Sequence, residues 1–112
     1  MTKTTAELRV KVAKKLGIKA PDMELSSEDA ATIDDRIEEV TDFLREAGVV
    51  WWVDNSIPDA AVMPMVLMVS AWACGDFGKA GQGFESGFAD GKTQLASIKP
   101  SAVIETVQVD YY

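Results

Sequence analysis

The chain has 112 residues, of which 47% are hydrophobic and 26% are charged, which is the composition of one folded domain with a single core. Its formal net charge of −7 argues against a broad nucleic-acid-binding face, because such a face needs basic residues that displace counterions from phosphates. The sequence has no histidine and one cysteine, which excludes histidine-dependent catalysis and an internal disulfide.

No segment predicts export or membrane insertion. The first ten residues lack the apolar core of a signal peptide. The longest apolar run, 60–74, contains Pro64 and is shorter than the about 20 residues that span a bilayer. We therefore expect a soluble cytoplasmic protein without membrane contact.

The first predicted helix covers residues 5–16. Thr4 is placed to cap it, and Glu7 three residues later completes a capping box. Leu8 and Leu16 lie on one apolar stripe, and Gly17 is placed to end the helix in a left-handed turn.

The second predicted helix begins at Ser26 or Ser27 and ends before Gly48. Its apolar stripe consists of Ile33, Ile37, Val40 and Leu44, and Phe43 widens it. This helix is acidic whereas the first is basic, so the two should attract, although exposed ion pairs contribute only about 0–1 kcal/mol each.

Two pairs of carboxylates, Asp34–Asp35 and Glu38–Glu39, raise the question of acid–base chemistry on the second helix. Such chemistry needs one carboxyl group in an apolar pocket that raises its pKa. Because these residues lie opposite the apolar stripe, the sequence favours a solvated face over a catalytic site.

The third predicted helix begins near Pro58 and extends to about Phe77. It is apolar almost all round, which predicts the buried central helix. Pro64 predicts a kink or a late start. Cys74, at its end, is interpreted as a packed, inert thiol.

A fourth helix is predicted over the glycine-rich residues 81–97, and a loop with little helix remains the alternative. Each mid-helix glycine costs about 1 kcal/mol relative to alanine. The recurrence of Gly83, Gly87 and Gly91 at every fourth residue indicates close approach of another backbone or a bulky ring.

The segments "GKAGQG" and "ADGKT" contain glycine and lysine but match only the end of a phosphate-binding loop. The earlier glycine spacing and the preceding strand are missing. We therefore expect no nucleotide and no other cofactor or metal.

After Pro100 the residue types alternate with the two-residue period of a β-strand. This pattern predicts an extended C-terminal arm over residues 100–112. No second strand is predicted, so the backbone of this arm should pair with another subunit or protein, or lie across a neighbour's groove. The candidate contact residues of the arm are Val103, Ile104, Val107, Val109, Tyr111 and Tyr112. The predicted fold is thus all-α, a small bundle of about four helices over residues 1–99 with a strand-like arm.

Trp51 and Trp52 follow the end of the second helix directly. In an extended link, adjacent side chains point to opposite sides, so one indole would close the core and the other would face outward as an interface anchor. A folded loop that buries both rings remains the alternative.

Three stretches, taken in order, resemble the small helical head-to-tail adaptor proteins of tailed bacteriophages, also called head-completion or connector proteins. The stretches are "TTAELRVKVAKKLGI", "SSEDAATIDDRIEEVTDFLREAGVVWW" and "IPDAAVMPMVLMVSAWACGDFG". They cover most of residues 4–78, and the C-terminal arm resembles the docking arms of such adaptors. The glycine-rich segment that follows is not typical of the family.

The resemblance implies a structural role in the virion neck, after assembly in the host cytoplasm. Copies would form a ring, usually a dodecamer, beneath the portal protein, extend the DNA channel and offer a platform to the next tail component. DNA would pass without specific binding, since a negative lumen repels it. The implied interface residues are Trp51 and Trp52 toward a neighbour and 103–112 toward the portal or an adjacent subunit.

Two other functions remain open. One is a small cytoplasmic regulator, an antitoxin-like homodimer that uses the tryptophan pair in a two-fold interface. The other is an enzyme that uses the carboxylates of the second helix. Some adaptors of this kind are suspected of wall-degrading activity, but no residues here form a site for it, and we do not expect an enzyme.

Overall fold

The structure, a computed structural model, describes residues 2–18, 24–53 and 55–109, with residues 99–109 described by their backbone alone. Within these residues the chain is an all-α bundle, as predicted. The helices are α1 (Thr5–Leu16), α2 (Ser27–Glu46), α3 (Asp59–Ala73) and α4 (Gly87–Val109). A 3-10 turn, Cys74–Phe77, continues α3, and two short strands, β1 (Thr2–Lys3) and β2 (Ile57–Pro58), form a small sheet.

The predicted helix ends of α1 and α2 are confirmed by their caps. The Thr4 hydroxyl accepts from the Glu7 amide at 3.2 Å, and the Glu7 carboxylate accepts from the Thr4 amide at 3.0 Å. Gly17 ends α1 with a φ of 77°. Ser26 caps α2 by accepting from the Asp29 amide at 3.1 Å. These local hydrogen bonds satisfy amides that the first turn leaves without helical partners.

Helix α3 is the buried centre of the bundle and packs against each of the other helices. It begins at Asp59 and continues through Pro64, so the predicted late start is wrong. Together with the 3-10 turn, α3 forms the helical stretch Asp59–Phe77, which is longer than the apolar run 60–74 and is long and apolar enough to cross a membrane. The core helix of a soluble bundle can have the same length and hydropathy, and 61% of this stretch is buried inside the protein.

Helices α3 and α4 form the most extensive contact of the bundle, and two glycines of α4 permit it. A Cβ atom on Gly91 would lie 2.6 Å from the Pro64 carbonyl oxygen and 2.7 Å from Cγ of Met68. A Cβ atom on Gly87 would lie 3.0 Å from the Leu67 carbonyl oxygen. The predicted close approach is therefore confirmed for these two glycines.

The start of α4 corrects the prediction for residues 81–97. The helix begins at Gly87, and the preceding residues form a loop. Gly81 and Gly83 have φ of 83° and 93°, values that favour glycine and do not occur in a right-handed helix. The alternative of a loop thus holds for residues 81–86.

Two bidentate ion pairs join the bundle across its surface. Arg9 of α1 donates to both carboxylate oxygens of Asp34 on α2, at 2.8 and 2.9 Å. Arg36 of α2 donates to both oxygens of Asp76 in the 3-10 turn, at 2.7 and 3.0 Å. The expected attraction between α1 and α2 is therefore seen as one specific pair.

The small sheet is a feature that the sequence did not predict. Thr2 pairs with Pro58 and Lys3 with Ile57, in antiparallel register. Asn55, with a φ of 66°, accepts from the Thr5 amide through its side-chain oxygen at 2.8 Å. The link between α2 and α3 is thereby tied to the start of α1.

The C-terminal segment differs from the predicted extended arm. The backbone is helical as far as Val109, so residues 100–109 continue α4 and the strand expected at Val103, Ile104, Val107 and Val109 is not formed. Tyr111 and Tyr112 lie outside the described residues. That this segment contacts a partner remains a prediction.

Candidate interaction surfaces

The two adjacent tryptophans lie at different depths. Trp52 is 9% exposed and belongs to the core, while Trp51 is half-buried against it. Their rings meet edge to face with centroids 4.9 Å apart. Trp52 is therefore the indole that closes the core, and Trp51 is the one with a face left for another molecule.

An aromatic cluster on the surface, not singled out in the sequence, joins three helices. We call it the aromatic patch and define it by Phe43 of α2, Trp72 of α3, and Phe88 and Lys92 of α4. Trp72 and Phe88 stack with centroids 5.2 Å apart and an interplanar angle of 11°. Phe43 packs against both rings, at 5.7 and 5.8 Å, yet remains 44% exposed.

The aromatic patch also carries a positive charge. The Lys92 ammonium lies 5.7 Å from the centroid of the Phe43 ring, a cation–π distance. Among the described residues, Lys92 forms no ion pair with a carboxylate. Aromatic side chains are enriched at the centre of many protein interfaces, whereas lysine is more common on the polar rim.

A groove lies on another side of α2, between α1 and the link that follows α2. We call it the acidic groove; its volume is about 470 Å³. It is lined by Asp34, Glu38, Thr41, Asp42, Trp52, Thr5, Ile37, Asn55 and Ile57. Ile37, Ile57 and Trp52 are buried and form its apolar floor.

The three acidic residues of the groove follow one another at every fourth position of α2 and so lie on one face. Asp34 is bound to Arg9, whose pKa is raised mainly by that hydrogen bond and ion pair despite some burial. Asp42 lies 3.7 Å from the guanidinium of Arg45. Among the described residues Glu38 has no basic partner, so it leaves a net negative charge at the groove.

Thr41 adds an unused hydrogen-bonding group to the groove. The residue is only 9% exposed, and its hydroxyl has no hydrogen-bond partner among the described residues. Unlike the Ser70 hydroxyl, the Thr41 hydroxyl is not fully enclosed, and Thr41 lines the groove. A hydroxyl without a protein partner that is not fully enclosed is available to a donor or an acceptor from another molecule.

The single cysteine is placed as predicted, inside the core. Burial raises the pKa of the Cys74 thiol, and the nearby Glu85 carboxylate adds to this effect. Glu85 is held by the Gly81 amide, which donates to it at 2.9 Å and lowers the pKa of that carboxyl group. A thiol with a raised pKa is a poor nucleophile, which fits a packing role.

Of the predicted interface residues, the structure brings Trp51 and Trp52 into contact with each other but at different depths. Trp52 lies in the core, Trp51 lies beside it, and the side chains of 103–112 are outside the described part. Sequence reasoning treated Phe43 only as the edge of a core stripe. It did not distinguish Trp72, because α3 is apolar on all sides and offers no signal for which residue faces outward.

Within the described residues, no three Cys, Asp or Glu side chains are grouped as metal ligands. No protein-family model, no curated protein and no solved structure matches this chain.

Proposed function

We propose that the protein is a structural component of a phage virion, a ring-forming head-to-tail adaptor. In this role it docks beneath the portal protein, extends the DNA channel and provides a platform for the next tail component. It acts in the virion neck after assembly in the host cytoplasm, and its mechanism is binding rather than catalysis.

The observation that carries the proposal is the aromatic patch. Four side chains from three helices form a preassembled surface, and Phe43 at its centre is 44% exposed. Aromatic side chains supply large contact areas with little loss of conformational entropy, because each has few rotatable bonds. A helical body that keeps such a surface open is suited to assembly with other copies or partners.

The charge of α2 supports the same role. Glu28, Asp35 and Glu46 are exposed. None of them forms an ion pair among the described residues. In a ring, such carboxylates facing the lumen would repel the phosphates of passing DNA, so that the genome slides without adhering.

Two further contacts complete the proposal. Trp51 is half-buried and offers part of its indole to a neighbour. Residues 100–112 would contact the portal or an adjacent subunit through their hydrophobic residues.

The test is whether the chain co-purifies with the portal from intact particles. We expect the wild-type chain to be present, and Phe43→Asp to lower its incorporation by about tenfold or more, as loss of an interface anchor of about 2 kcal/mol would. Met63→Asp is the matched control, because Met63 is 60% exposed and outside the aromatic patch. Absence of the wild-type chain from particles would contradict the proposal.

A further inference from the structure

We propose that the acidic groove of one copy receives the aromatic patch of the next copy, so that the ring closes by a head-to-tail contact. This inference rests on the proposed ring and names the two surfaces that build it. Lys92 of the patch would reach Glu38 of the neighbour's groove, and the apolar floor of the groove would receive the rings of the patch.

The two surfaces lie on different sides of the same helix, as a ring requires. Glu38 and Phe43 are five residues apart on α2, which at about 100° per residue places them about 140° apart around the helix. Phe43 faces Trp72 and Phe88, whereas Glu38 lies on the side of Thr5 and Trp52. Two different surfaces on one chain give a heterologous contact, which repeats around a ring instead of stopping at a dimer.

Charge complementarity favours a second copy as the occupant. Lys92 is the positive group of the patch and Glu38 the negative group of the groove, and neither has an ion-pair partner among the described residues. Each surface thus carries the charge that the other lacks, so contact between copies neutralises both without a further component.

The chemistry of the groove also fits the patch. Its floor of Ile37, Trp52 and Ile57 is apolar, so it can cover aromatic rings. Thr41 lines the groove and its hydroxyl lacks a partner among the described residues, so it can accept from an ammonium group that enters. An apolar floor with an acidic wall suits a lysine that stands beside aromatic rings.

The experiment is a charge-reversal exchange, followed by sedimentation and by NMR amide shifts from about 10 μM to about 1 mM protein, where weak contacts become populated. We expect the wild-type chain to associate beyond a dimer as concentration rises. Glu38→Lys and Lys92→Glu should each weaken association by about tenfold or more, because like charges then meet at every contact. Lys92→Gln removes the charge without reversing it and should weaken association less than Lys92→Glu does.

Restored association in a mixture of the two charge-reversal variants would distinguish this specific contact from a general effect of net charge. Mixing Glu38→Lys with Lys92→Glu in equal amounts should restore association, because the alternating contacts then pair Glu38 with Lys92 and the introduced lysine with the introduced glutamate. The double variant should behave likewise. Glu28→Lys and Lys14→Glu make the same charge changes at exposed residues outside both surfaces and should leave association unchanged.

The inference is overturned if either single variant associates as the wild type does, if mixing restores nothing, or if the wild-type chain stays monomeric at about 1 mM. These outcomes do not involve the portal. If the chain is present in particles but its association is insensitive to both reversals, the proposed function stands and this contact is wrong. If the chain associates as described but is absent from particles, the proposed function is wrong.

Discussion

At the scale of single residues, the ion pair between Arg36 and Asp76 ties the 3-10 turn to α2. The Arg36 guanidinium lowers the pKa of Asp76 below its ordinary value of 3.8. Because the folded-state pKa is lowered, the pair stabilises the fold above that value and loses its contribution as the pH falls through the folded-state pKa.

Asp76→Asn should therefore lower the free energy of unfolding at pH 7 by about 1 kcal/mol, the upper range for a partly exposed pair. The difference from wild type should shrink as the pH falls below 3.8 and through the lowered folded-state pKa, where the wild-type carboxylate of the folded protein becomes protonated. Urea unfolding at several pH values measures it. Asp35→Asn is the control, since Asp35 is exposed and forms no ion pair among the described residues. A constant difference down to pH of about 2 would contradict the account.

Replacing each of the two tryptophans by alanine should lower the free energy of unfolding by a different amount. Trp52→Ala should destabilise the protein by about 3–5 kcal/mol, because it empties part of the core. Trp51→Ala should cost about 1–2 kcal/mol, because the ring is only half-buried. Chemical denaturation of both variants compares them, and equal costs would mean that the assigned depths are wrong.

The sequence predicted that one indole would enter the core but not which one. Their order depends on the turn at Asn55 and on the β1–β2 pairing, which hold the link against α1. Neither contact is local in sequence, so periodicity could not reveal it. The capping box of Thr4 and Glu7 was predicted correctly because all of its atoms lie within one helical turn.

At the scale of secondary-structure elements, the close packing of α3 against α4 depends on Gly91, which lies where the two helices come closest. Gly91→Ala should destabilise the protein by about 1–3 kcal/mol through overpacking, although alanine favours helix by about 1 kcal/mol. Gly75→Ala is the control, since nothing lies within 4 Å of the Cβ it would add. Thermal unfolding compares the two, and a neutral Gly91→Ala would show that the helices separate at little cost.

The C-terminal segment, residues 100–112, is the element that we propose docks on the portal. Deleting residues 100–112 should leave the helical bundle folded and remove binding to the portal, because the core formed by the described side chains lies before this segment. Circular dichroism tests the first expectation and co-sedimentation with the portal the second. A deletion variant that binds the portal as tightly as the full chain would exclude the docking role.

Sequence periodicity predicted the helices well where the apolar stripe and the caps agree, as in α1 and α2. The predictions from periodicity were wrong at both ends of α4. Gly81 and Gly83 suit helical spacing, but their positive φ places them in a loop. The alternation after Pro100 suits a strand, but the backbone there continues α4. Local pattern alone could not decide between the two conformations in either stretch.

At the scale of the whole molecule, the chain combines an aromatic patch with one positive charge and an acidic groove on another side of α2. A two-fold dimer would use one surface twice and leave the other open. A ring uses both surfaces of every copy. This difference separates the proposed adaptor from a small homodimeric regulator.

The most direct test of the adaptor function is native mass measurement of the chain with and without the portal complex. The account predicts that the portal gains a closed ring of many copies, and that the free chain shows only weak, concentration-dependent association. A dimer that is stable at all concentrations and unchanged by the portal would contradict it.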